Sequence, residues 1–181
     1  MINVKIVPYT HVDGVPTYRD SEIRDLYNMV SESGYGSIFN FSDIITPEIF
    51  LSEMKKHDTF LHVLYINDTL AGIAWLNRIE NRMARLHWST FSGISIKDKL
   101  TLAIRLCELI LHMKDDSDEF IFDVLVGYTP STNSRAIQFC VAAGGHIAGE
   151  VPNLLWSNSE SKSVPGTIIY YIRGNANEDL Q

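Results

Sequence analysis

Apolar and polar positions alternate with a period of two over residues 2–7, "INVKIV", which predicts a first strand. Over "SEIRDLYNMVSES" the period lengthens. Ile23, Leu26, Tyr27 and Val30 recur at helical spacing, and Gly34 and Gly36 are placed to end that helix. Thr46 followed by Pro47 opens a second helix, "PEIFLSEMKKH", because a proline at the first helical position gives up no hydrogen bond. Three strand-like runs follow. "TFLHVLYI" and "LAGIAWLNRI" are separated by Asn67-Asp68-Thr69, and "ARLHWSTF" comes after Glu80-Asn81-Arg82, so the middle of the chain reads as an antiparallel meander. A polar loop over residues 92–99 then opens a long helix, "LTLAIRLCELILHM". Its predicted buried stripe is Leu102, Leu106, Leu109 and Met113, with Ile110 beside them. "FIFDVLV" is apolar enough for a strand buried on both faces. A helix from about Asn133 to Ala143, a short strand "HIAGEV", a loop "PNLLWSNSESKSVPG" and a last strand "TIIYYIR" complete the order βααβββαβαββ.

That order predicts one α+β domain (an α/β three-layer arrangement) over residues 1–173, with a mixed sheet flanked by helices and a tail at 174–181. A length of 181 residues suits a single core. The formal charge of −7 and the lack of any Lys/Arg run argue against nucleic acid or an anionic membrane as partner. No apolar run approaches the roughly 20 residues needed to span a bilayer, and the N-terminal stretch has no basic flank before an apolar segment. The six His and two Cys form no ligand spacing, so no metal is expected. Cys107 and Cys140 outside any disulfide framework fit a reducing compartment, and the cytoplasm is the expected location.

Two junctions carry candidate chemistry. In "STNSRAIQFCVAAGG", Thr132 or Asn133 can cap the helix, while Ala136, Ile137, Phe139, Cys140 and Ala143 supply its buried side. Gly144 and Gly145 suit a stop that needs positive φ. In "FSGISIKDKL", residues 91–100, a strand–loop–helix junction presents backbone N–H groups and the positive end of a helix dipole to an anion. Lys97 and Lys99 add charge there, and Ser92 or Ser95 is the cap. Each junction by itself also fits an ordinary connection.

Taken in order and spacing, the two junctions resemble those of the GNAT superfamily of acyl-CoA-dependent N-acyltransferases. Gly93, Ile96 and Leu100 match the family pattern R-G-x-G-I-G-x-x-L, with Ser92, Ser95 and Lys97 in place of its Arg and two glycines. Asn133, Ala136 and Gly144 match N-x-x-A-x-x-x-Y-x-x-x-G-F, with Cys140 at the Tyr and Gly145 at the Phe. The resemblance implies a mostly antiparallel, splayed sheet in which "ARLHWSTF" and "FIFDVLV" diverge to admit pantetheine. It implies acetyl-CoA as acyl donor, with Phe91, Ser92, Gly93, Ile94, Ser95, Ile96, Lys97 and Asn133 as its contacts and an amine as acceptor. Direct attack needs a route for the amine's proton, for which Glu80, His87 and Asp123, on or beside central strands, are the candidate bases. Cys140 is read as packing rather than as an acid, because its apolar neighbours offer a thiolate no support. The resemblance places the acceptor between the segments near Gly34 to Thr46 and Asn153 to Gly166, and a homodimer is compatible with it. Binding of acyl-CoA or a partner protein without turnover is the alternative, favoured by the missing glycines and Tyr.

Overall fold

The computed structural model describes residues 2–33 and 37–174. Gly34 and Gly36, the expected helix stop, and residues 175–181 of the expected tail lie outside these. The chain runs β1 (Val4–Pro8), β2 (His11–Val12), β3 (Val15–Pro16), α1 (Asp20–Glu32), α2 (Ser37–Asn40) and α3 (Pro47–Met54). It continues through β4 (Phe60–Ile66), β5 (Thr69–Glu80), β6 (Met83–Thr90), α4 (Ile96–Leu111), β7 (Val124–Pro130), α5 (Ser134–Ala142), β8 (His146–Ser157) and β9 (Lys162–Ile172).

Local chemistry sets most of these boundaries. Asn67 and Asp68 take φ of 49° and 60°, the geometry of a two-residue turn whose twist matches the flanking strands β4 and β5. The Thr46 hydroxyl accepts from the Ile49 N–H at 3.2 Å and Pro47 follows it, which starts α3 where predicted. The Arg19 N–H donates to Glu22 at 2.6 Å, closing a capping arrangement at the start of α1. Asp13 and Gly14, at φ of 52° and 80°, turn the unpredicted hairpin β2–β3.

The main sheet has the order β1-β4-β5-β6-β7-β9-β8 and is antiparallel at every pairing except β6 with β7. Helices α4 and α5 cover one face, packing Leu102, Leu106, Ile110 and Ala143 against Leu64, Leu76, Leu86, Leu125 and Ile169. Helices α1–α3 cover part of the other, where Ile23, Val30, Phe50 and Met54 meet Leu61, Val63, Ile73 and Trp75. The three-layer α+β architecture is the one expected.

Several elements differ from the sequence reading. Helix α4 starts at Ile96, and Leu109 is 45% exposed. At about 100° per residue it falls at the edge of a stripe centred on Leu102, Ala103, Leu106, Cys107 and Ile110. Strand β7 begins at Val124 rather than Phe120. Residues 119–123 are engaged in a tight return instead, with Ile121 N–H donating to the Met113 carbonyl at 2.9 Å and Asp123 N–H to Arg82 at 2.7 Å. Leu125 is the fully buried residue of β7, because its second face carries no helix. The expected 152–166 loop is mostly strand. Pro165 has no N–H to give a ladder, and Pro152, Asn153 and Leu154 bulge out opposite it between the pairs Val151↔Gly166 and Leu155↔Val164.

Candidate active site

Strands β6 and β7 pair over three residues, Met83↔Val124, Ala84↔Leu125 and Arg85↔Val126, and then part. Beyond Arg85 the facing backbone groups of the two strands open a wedge toward the N-terminus of α4. Alternation places Ala84, Leu86 and Trp88 of β6 on the α4 face, and Arg85, His87 and Ser89 on the opposite face. On the α4 side Leu86, Trp88, Ala103, Leu106, Cys107 and Tyr171 surround a packing gap with no room for a water molecule. Trp88 meets Phe139 of α5 with ring centroids 5.1 Å apart.

The loop into α4 explains the substitutions in its glycine pattern. Gly93 has φ of +82° with open space where a Cβ would stand. Ser95 is the N-cap at φ −62°, its hydroxyl accepting from Asp98 N–H at 3.1 Å. A serine at negative φ costs no backbone strain, so glycine is kept where the left-handed region requires it. The first-turn N–H groups of α4 have no partner within the helix. Ser92, Ile96 and Lys97 are exposed, Ile94 is half-buried and Phe91 is buried.

At the second junction the Asn133 carboxamide oxygen accepts from Ala136 N–H at 3.1 Å, so Asn133 is the cap of α5. Gly144 closes that helix at φ of +91°. Gly145 serves close packing: a Cβ there would stand 2.8 Å from the Cys140 carbonyl and 2.8 Å from Ile169. This approach brings α5 against β9, where the Tyr171 hydroxyl donates to the Cys140 carbonyl at 3.4 Å. Burial pushes the Cys140 thiol up and the Cys107 thiol up to about 12, so both are neutral. Burial also raises Tyr171, with the two cysteines adding to the effect.

The three candidate bases fall in different places. Asp123 precedes β7 at the closed end of the wedge, held by Arg82 at 2.6 Å and by Arg173. Hydrogen bonds from Arg173 and then Arg82 hold its carboxyl below the usual range. Glu80 pairs with Met83 at the same closed end. His87 alone of the three lies at the opening. Its ring stacks on Trp75 at 4.7 Å and 1°, and its Nε2–H donates to the Asn77 carboxamide oxygen at 3.0 Å. Burial, followed by Arg85 and Arg78, lowers its pKa to about 3, so His87 is neutral at physiological pH.

The loss of that proton site has a stability consequence. An unfolded His titrates near 6.5, so below that pH the unfolded chain takes up a proton that native His87 refuses. Stability therefore falls with pH, by about 2 kcal/mol from this residue at pH 5, and buried His62 acts in the same direction. Urea midpoints at pH 7 and pH 5 should differ more for the wild type than for His87→Asn. Equal differences would mean that His87 already binds a proton in the native state.

The two segments expected to flank the acceptor meet. Asn40 Nδ2 donates to Ser157 Oγ at 3.2 Å, Ser159 N–H to the Asn40 carboxamide at 2.8 Å, and Asn158 Nδ2 to the Ser42 carbonyl at 2.8 Å. These bonds tie α2 to the tip of the β8–β9 hairpin. Among the described residues no group of His, Cys, Asp and Glu is placed to hold a metal, and no helix is long and apolar enough to cross a membrane.

No family model and no curated protein matches the sequence. Solved structures do match its fold. An N-acetyltransferase from Staphylococcus aureus Mu50 superposes with a TM-score of 0.67 at 16% identity, over 95% of this chain and 97% of that one. The fold is that of the GNAT N-acetyltransferases. A Vibrio cholerae spermidine N-acetyltransferase in complex with CoA and spermine shares this GNAT fold at a TM-score of 0.64 and 13% identity, covering 94% of this chain and 95% of its own. The microcin C7 self-immunity acetyltransferase, in complex with acetyl-CoA and AMP, matches at 0.64 and 14%, over 86% and 89%.

Two residues near the seam were not singled out in the sequence, Tyr171 in register with Leu125 inside its paired part and Arg85 at the end of that part. Tyr171 is an inward-facing hydroxyl in the apolar run "TIIYYI", and Arg85 is a charge in the central strand "ARLHWSTF". In both cases strand alternation was the available signal.

Proposed function

We propose that this chain is an acetyl-CoA-dependent N-acetyltransferase that passes an acetyl group to an amine by direct attack. The observation that carries this reading is the parting of β6 and β7 after three paired residues, ahead of a helix entry that keeps glycine at its one positive-φ position. Acetyl-CoA fits that arrangement. The unpaired backbone of residues 87–91 takes the pantetheine arm as an added strand would be taken. The first turn of α4, with Gly93 and Lys97, receives the pyrophosphate, and Asn133 turns its free NH2 toward the donor.

Cys140 stands where the resemblance places a tyrosine, and the buried Tyr171 hydroxyl donates to its backbone carbonyl. To stabilise a departing thiolate the O–H exchanges this long bond to the Cys140 carbonyl for one to the sulfur. Neutral His87 positions the opening through Asn77, and the amine's proton leaves through water on the open face. Asp123 and Glu80 act in structure only.

Acetyl-CoA at about 100 times its dissociation constant should stabilise the protein by about 2.7 kcal/mol. For a chain of this size that raises the melting temperature by roughly 5–10 °C. Dephospho-CoA should bind less tightly than CoA. A flat melting temperature at millimolar acetyl-CoA would remove the reading. A shift without acetyl transfer to any amine would favour binding without turnover, the reading that Cys140 supports.

A further inference from the structure

The face of the wedge opposite α4 holds two arginines without acidic partners. Arg85 is the last paired residue before β6 and β7 separate, so its side chain leaves the sheet at the vertex. Its guanidinium lies over the Tyr128 ring at 4.4 Å, and its buried Nε has no hydrogen-bond partner. Arg78 stands close enough to depress the pKa of Arg85 further, after the larger effect of burial. No carboxylate among the described residues lies within ion-pair distance of either arginine.

This is unusual for the composition. The chain has 22 acidic and 15 basic residues, and Arg82, in the nearby β5–β6 turn, is paired with Asp123. The half-buried Arg85 guanidinium has lost hydration that the Tyr128 ring face replaces only in part, since its Nε stays without a partner. Arg78 also holds φ of +48° at the irregularity in β5 between Asn77 and Glu80, a conformation that a β-carbon disfavours. An anion at Arg85 would supply the missing partner, since guanidinium groups bind carboxylate and phosphate oxygens through paired N–H groups.

We propose that Arg85, assisted by Arg78, receives an anionic group carried by the acceptor, a carboxylate or a phosphate, and so selects amines that bear one. The inference rests on the acetyltransferase reading for the identity of its ligand as an amine. Tyr128 holds the Arg85 fork flat, and His87, two residues nearer the opening on the same face, lies between that anion site and the path of the acyl donor. A polyamine would meet two cations at the vertex and is disfavoured.

Binding and turnover test the two ideas separately. Calorimetry in the presence of CoA would compare matched pairs: glycine with methylamine, phosphoethanolamine with ethanolamine, and spermidine as a polycation. The anionic member should bind the wild type about 10- to 100-fold more tightly. Arg85→Gln should abolish that preference, Arg85→Lys should retain part of it, and Arg78→Gln, at an exposed position, should weaken it by a smaller factor. The glycine and phosphoethanolamine arms decide between carboxylate and phosphate. Equal binding of charged and neutral members, tighter binding of spermidine, or a preference that survives in folded Arg85→Gln would each overturn the proposal. Thiol release from acetyl-CoA with the same amines tests acetyl transfer alone, so a binding preference without thiol release would leave the anion site standing and remove the enzyme.

Discussion

Tyr171→Phe is expected to lower acetyl transfer by about 10²-fold or more while leaving acetyl-CoA affinity and the melting temperature near those of the wild type. The ring stays in the core beside Ile169 and Leu125, so packing is conserved. What disappears is a buried hydroxyl that donates beside Cys140, and in apolar surroundings such a donor acts on nearby developing charge with little competition from water. Cys140→Ala is the matching control. Its thiol is neutral and partly buried among apolar neighbours, so its loss should cost modest stability and leave turnover nearly unchanged. Full turnover in Tyr171→Phe, or a collapse of turnover in Cys140→Ala, would reverse the assignment of the two residues.

The second large effect is structural. Trp75 is 1% exposed and sits among Phe39, Phe50 and His87, with centroid distances of 6.3, 5.9 and 4.7 Å. Trp75→Ala should cost about 3–5 kcal/mol, because the rings around the vacated space are fixed by α2, α3 and β6 and relax only in part. At roughly 2–4 °C per kcal/mol for a domain of this size, the melting temperature should fall by about 6–20 °C. A fall of under 2 °C would show that the cluster is far more plastic than its ring geometry implies.

Turns and helix starts were the most legible features of the sequence, because their chemistry is local. Asn67-Asp68, Thr46-Pro47 and Asn133 each specify a conformation within a few residues. The start of β7 was not legible. Phe120 to Phe122 are apolar whether they enter a strand or fold back on Met113, and the return is set by contacts with residues well outside the run. The β8–β9 hairpin was hidden for a different reason. Pro152, Asn153 and Pro165 read as loop formers one by one, yet they face each other across a bulge that both strands survive. "VDGV" around Asp13-Gly14 did carry a hairpin signal. Within the site, the sequence pattern located the helix entry and Asn133. It left Asp123 and Glu80 on the same footing as His87, because position along a strand becomes position in a wedge only once the neighbouring strand and its register are known. Arg85 and Tyr171 depend on that register too.

The three-residue seam between β6 and β7 also divides the chain by its order of synthesis. Strands β1, β4, β5 and β6 on one side come from residues 4–90, and β7, β9 and β8 on the other from residues 124–172. Each half-sheet is thus laid down from an unbroken stretch of polypeptide as it leaves the ribosome, and neither must wait for the other to pair its own strands. Helix α4 is made between them and contacts β1, β4 and β7. The exposed turn at residues 115–118 that follows it is therefore the natural place to cut the gene into two complementing pieces. The wedge would then lie along the line where those pieces rejoin.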